Sequence, residues 1–95
     1  MNKYEAMFLL RADLGKEKTN QLMQQINEIM LKNKVELLSS SIWQENRELA
    51  YPIKKQKYAT YYLVNFNASP SILQKLNEEY RLNENILRFM ILRII

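Results

Sequence analysis

An α+β fold, in which one four-stranded antiparallel sheet carries two helices on one face, is predicted by three observations. Segments rich in β-branched and aromatic residues alternate with segments of helical apolar spacing in the order strand, helix, strand, strand, helix, strand. The chain has 95 residues, 47% of them hydrophobic, which is enough for one core and too little for two. No internal repeat, linker or low-complexity tail divides it, so residues 1–95 are expected to form a single domain.

The first strand is expected over Lys3–Leu10, KYEAMFLL. Alternation there sets Tyr4, Ala6, Phe8 and Leu10 on one face and Glu5, Met7 and Leu9 on the other. From Lys16 to Lys32, Leu22, Met23, Ile26, Ile29 and Met30 draw one apolar stripe along a Gln-, Asn- and Lys-rich helix. Asp13 or Gly15 caps it. After the Asn33-Lys34 break, Val35 to about Glu45 reads as the second strand, with Leu37, Leu38, Ile42 and Trp43; the run Ser39–Ser41 leaves its register open. The third strand, Tyr58–Asn67, puts Tyr62, Val64 and Phe66 on one side and Tyr61, Leu63 and Asn65 on the other. Ser69-Pro70 opens the second helix as cap and first-turn proline, and Ile72, Leu73, Leu76 and Tyr80 continue its buried stripe to about Arg81. Asn83-Glu84-Asn85 supplies a turn, and Ile86–Ile95 is the last strand, with Phe89 and Ile91 expected in the core against Ile26 and Leu76. Two split β-α-β units in this order make the ferredoxin-like plan.

Two helices cover only one side of such a sheet. Alternation leaves Met7, Leu9, Leu63, Met90 and Leu92 on the other, a large apolar patch for a free monomer. Met7, Leu63, Met90 and Leu92 are therefore the candidate surface for a protein partner.

Composition removes most catalytic chemistry. Cysteine and histidine are absent, which excludes disulfides, thiolate nucleophiles, imidazole catalysis and ordinary zinc sites. Gly15 is the only glycine, so no phosphate-cradling loop can be drawn. Glu78 and Glu79 are adjacent on a helix and point about 100° apart, which keeps them from converging on a substrate. The third strand, KYATYYLVNF, is loosely like an RNA-recognition signature but lacks its glycine. Neither a metal nor another cofactor is expected. The N-terminus shows no long apolar core of a secretion signal. FMILRII is too short and too interrupted by Arg93 to span a membrane, so a cytoplasmic protein without a membrane partner is expected.

The formal net charge is +4, from 14 Lys and Arg against 10 Asp and Glu. Most of this excess lies in RELAYPIKKQK, where Arg47, Lys54, Lys55 and Lys57 face one anion, Glu48. Such clustering indicates a localised contact with a polyanion. Pro52 favours an extended chain after Tyr51 and is expected to let this connection project its cations.

At Arg47, Leu49-Ala50-Tyr51-Pro52-Ile53, Lys55 and Tyr61 the chain resembles the family of the sixth protein of the bacterial small ribosomal subunit. Tyr4-Glu5 resembles the family's opening, and Arg81-Leu82-Asn83-Glu84-Asn85-Ile86 with Arg88, Met90 and Ile91 its helix-to-strand close. The resemblance spans essentially the whole chain. Trp43 stands one residue further from Leu49 than the family's tryptophan, Glu45 replaces a glycine, and Asn46 takes a basic position, which leaves Arg47 as the main cation there. The resemblance implies a non-enzymatic ribosomal constituent that binds the central domain of the small-subunit ribosomal RNA together with the eighteenth small-subunit ribosomal protein. Lys3, Arg47, Lys54, Lys55, Lys57 and Arg88 are its expected RNA-binding residues. A ferredoxin-like interaction or ligand-regulatory module that self-associates through its sheet would account for the open apolar face but not for the basic segment.

Overall fold

The computed structural model describes residues 1–94. Its elements are β1 (Asn2–Arg11), α1 (Lys16–Lys32), β2 (Glu36–Ile53), β3 (Gln56–Ala68), a 3-10 turn at Pro70–Ile72, α2 (Leu73–Arg81) and β4 (Ile86–Ile94). Ile95, expected at the end of the last strand, lies outside the described residues. All four strands join one antiparallel sheet in the order β2-β3-β1-β4, the ferredoxin-like plan read from the sequence.

β1 is central because its helix-side residues are apolar at every second position. Tyr4, Ala6, Phe8 and Leu10 are all buried. The pairs Ala6 with Val64 and Ile91, and Phe8 with Tyr62 and Phe89, extend that face across the neighbouring strands. Leu22, Ile26 and Met30 of α1 and Leu76 and Tyr80 of α2 close over it. The Tyr80 hydroxyl, deep in this layer, donates to the Ile26 carbonyl at 2.7 Å. Burial pushes that phenol well above its ordinary pKa, so it stays protonated. Phe89 and Ile91 face this core as expected but are only half-buried, since β4 is an edge strand.

Gly15 is the residue that caps α1. Its φ of 82° lies in the left-handed region open to glycine, and its carbonyl accepts from the Thr19 amide and hydroxyl. Asp13 instead forms a two-pronged pair with Arg11 at 2.7 and 3.0 Å.

The two helices are tied by Glu79, whose carboxylate accepts from Lys32 Nζ and from Asn33 Nδ2, each at 2.8 Å. The Lys32 bond, then the Asn33 bond, hold the Glu79 carboxyl below its ordinary range. A carboxylate with a lowered folded pKa contributes stability that is complete above its unfolded value, about 4.3, and fades as pH falls through the folded value. Glu79→Gln is therefore expected to lower urea stability at pH 7 and to lose that deficit by pH 3. A deficit of the same size at both pH values would assign the effect to packing instead of charge.

β2 departs from expectation. The basic segment after Glu45 is strand, not loop, and β2 runs on to Ile53. Its register against β3 slips between Leu37 and Ser39, Ile42 and Gln44, Gln44 and Arg47, and Glu48 and Ile53. Each bulge breaks period-two alternation and bends the strand. Asn46, at one slip, has φ 48°. Pro52 is tolerated because β2 is an edge strand. Ile53 pairs with Gln56, so Lys54 and Lys55, with φ 49° and 67°, form a two-residue turn with positive φ at both positions, as in a type I′ hairpin.

The accumulated bend returns the far half of the hairpin over the sheet face that the helices leave uncovered. Leu49 and Ile53 pack there on a second small core of Leu9, Ala59 and Leu87, flanked by Met7 and Tyr61. Leu9, expected on an open surface, is 8% exposed. The expectation that the basic segment projects away is corrected in the same way: the chain is extended around Pro52, yet it folds back. Lys54 Nζ meets the Ile86 carbonyl at 3.4 Å and the Arg88 guanidinium donates to the Tyr51 hydroxyl at 3.2 Å.

Candidate nucleic-acid interface

Strand pairing orders the sheet face away from the helices into rows. Lys3 lies opposite Asn67 and Ile94, Glu5 opposite Asn65 and Leu92, Met7 opposite Leu63 and Met90, and Leu9 opposite Tyr61 and Arg88. The hairpin covers the Leu9 row. It leaves the Met7 row accessible: Met90 is 54% and Leu92 58% exposed, while Met7 and Leu63 are half-buried. All four residues expected to meet a protein partner thus lie on one face, in adjacent rows.

The cations divide into two groups. Arg47, Lys54, Lys55 and Lys57 ride on the hairpin, and Arg88 joins them because the regular register of β4 sets it opposite Leu9, in phase with Met90 and Leu92, where the returning hairpin brings Tyr51 to it. Lys3 does not join them; it lies roughly 20 Å away along β1, at the other end of the sheet. Arg11–Asp13 and Lys32–Glu79 are the ion pairs among the described residues, so none of the six candidate cations is neutralised by a carboxylate.

Both arginines are held by aromatic rings. The Arg47 guanidinium carbon lies 5.3 Å from the Trp43 ring and 5.4 Å from the Tyr61 ring, and its Nη1 donates to Gln44 Oε1 at 3.0 Å. Trp43 and Tyr61 meet edge to face at 5.5 Å. The Arg88 guanidinium lies 6.0 Å from the Tyr51 ring. Cation–π contact and a hydrogen bond restrict each long side chain while leaving most of its N–H donors free. Lys55 and Lys57 are exposed.

Sequence reasoning missed the supports Trp43, Gln44, Tyr51 and Tyr61. Trp43 and Arg47 are brought together by bulges, and Arg88 and Tyr51 by a bent hairpin. The available signal was the density of aromatics around Arg47, which also suits an ordinary strand.

The family model described as ribosomal protein S6 matches residues 3–93. The chain is 34% identical over 93 residues to small ribosomal subunit protein bS6 of Caldanaerobacter subterraneus subsp. tengcongensis, covering 98% of this chain and 97% of that one. It is 36% identical over 93 residues to small ribosomal subunit protein bS6 of Helicobacter pylori strain Shi470, covering 98% of this chain and 65% of that one. The crystal structure of 30S ribosomal protein S6 from Thermotoga maritima matches with a TM-score of 0.90 at 26% identity, over 98% of this chain and 87% of that one.

Proposed function

Because the chain belongs to the ribosomal protein S6 family, whose members are structural and not catalytic parts of the small ribosomal subunit, we propose how its two surfaces divide that work. The hairpin cations bind the central, platform domain of the small-subunit ribosomal RNA, and the Met7–Leu63–Met90 row, with Leu92, meets the eighteenth small-subunit ribosomal protein. Its place is the ribosome, in the cytoplasm.

The observation that carries this reading is the bent hairpin. It sets four cations and Arg88 at one end of the sheet and leaves an apolar row beside them. Phosphates are met by guanidinium and ammonium groups that no carboxylate competes for, and such contacts position a protein without reading sequence. Arg47 and Arg88, already restrained by their rings, lose less freedom on binding than unsupported side chains would. Lys55 and Lys57 add mobile point charges, and Lys3 serves a separate stretch of RNA at the far end of the sheet.

Co-sedimentation with small subunits tests the assignment directly, and an RNA titration at several salt concentrations tests the hairpin. Arg47→Ala is expected to weaken RNA binding and to lower the slope of log affinity against log salt by about 0.7 to 0.9, one phosphate contact. Arg81→Ala, at the exposed end of α2, is the control and is expected to change neither. Equal affinities and slopes for the two variants would remove Arg47 from the RNA surface.

A further inference from the structure

We propose that Trp43, Tyr61 and Arg47 form a stacking platform for one unpaired base of an RNA strand, with the Arg47 guanidinium taking the adjoining phosphate. This rests on the RNA-binding reading above and names the form of RNA that this end of the sheet selects.

Trp43 is the extra residue of the bulge between Ile42 and Gln44. Ile42 packs against the main core, whereas Trp43 turns to the opposite face and meets Tyr61. There the indole remains 54% exposed. An indole left this open stabilises the fold less than a buried ring would, and the Arg47 guanidinium lies 5.3 Å from it. The Arg47 guanidinium leans over both rings and is anchored to Gln44 through one N–H, which leaves further donors free. An aromatic face beside an oriented guanidinium is the chemistry by which single-stranded nucleic acid is held, because every base offers a π-face and every nucleotide a phosphate. A duplex hides those faces within its stack.

Charge separates this ligand from a protein side chain. Glu45 and Glu48 flank Arg47 in sequence, but among the described residues neither forms an ion pair with it. Glu45 lines a cleft with Lys16 and Thr19 on the helix side, and Glu48 pairs with Tyr58, one position out of phase with Ala59, the partner of Arg47. Lys57 shares the phase of Ala59 and Tyr61, which adds a second cation to the platform's side. An apolar partner covering this cluster would desolvate the guanidinium without neutralising it.

Trp43 is the chain's single tryptophan, so its emission reports on this site alone. The intact chain is titrated with single-stranded oligoadenylate and, separately, with an RNA duplex of equal length, following labelled-RNA anisotropy and Trp43 emission together. Oligoadenylate is expected to quench the emission with the midpoint of its anisotropy change, and the duplex to bind without quenching. Trp43→Ala is expected to weaken oligoadenylate binding about tenfold, the order of one lost stacked base, and Trp43→Phe to retain most of it. Oligoadenylate binding with unchanged emission would overturn the platform and leave the phosphate contacts standing. Emission that responds to the eighteenth small-subunit protein and not to RNA would make Trp43 a protein anchor instead. Failure of every RNA to bind, with that protein present, would overturn the RNA reading itself.

Discussion

Phe8→Ala is expected to cost about 3 to 5 kcal/mol of folding stability, a large part of the total that a domain of this size possesses. Phe8 is fully buried at the centre of the main core, with ring centroids 4.9 Å from Tyr80, 5.9 Å from Phe89 and 6.2 Å from Tyr62. Its removal empties a site bounded by three rigid rings and by two strands whose register is already fixed, so the walls can collapse only partly. Phe89→Ala, on the half-buried edge strand, is expected to cost less. Urea midpoints at constant m-value measure both. A loss under about 2 kcal/mol at Phe8, or a greater loss at Phe89, would mean that the centre of the core lies elsewhere. The consequence reaches the surface, because burial of Phe8 is what holds Met7 and Leu9 on the opposite face.

The elements that could be read from the sequence are those whose periodicity is unbroken. β1 and β3 alternate strictly against a helix layer, and a one-residue slip in either would bury polar groups such as Glu5 or Asn65. α1 shows its stripe for the same reason. β2 was legible to about Glu45, though without its register; beyond that, extra residues at each slip, one between Gln44 and Arg47 and three between Glu48 and Ile53, erase the period-two signal. The hairpin turn was hidden as well, since Lys54-Lys55 carries none of the Asn or Gly preference that positive φ usually selects. Without that turn the segment reads as a loop, and Leu9 reads as exposed.

The same physics limited the candidate site. Clustering of cations along RELAYPIKKQK is a property of the sequence and was visible there. Their grouping with Arg88, which alternation already places on the open face with Met90 and Leu92, depends on the hairpin bend, a long-range consequence of pairing. Lys3 illustrates the converse: it shares a face with these cations by alternation but stands at the other end of the strand. The aromatic supports of Arg47 follow from the Trp43 bulge, which alternation alone assigns to neither face.

Placing a charge in the apolar row separates its part in the fold from its proposed part in assembly. Leu63 sits between Met7 on β1 and Ser41 on β2, half-buried, on the face that no helix covers. In the free protein a carboxylate there can reach water, so Leu63→Glu is expected to leave the circular dichroism spectrum unchanged and the urea midpoint only slightly lowered. When a partner covers the row, the same carboxylate is desolvated without a counter-ion, a penalty of several kcal/mol. Affinity for the eighteenth small-subunit protein is therefore expected to fall about a hundredfold or more, which is roughly 3 kcal/mol. Leu63→Ala removes contact area without adding charge and is expected to lose less. Titration calorimetry with the two variants distinguishes lost packing from buried charge. Wild-type affinity in a folded Leu63→Glu variant would move the partner off this row, to an edge strand or to the hairpin, where the apolar row would play no part in assembly.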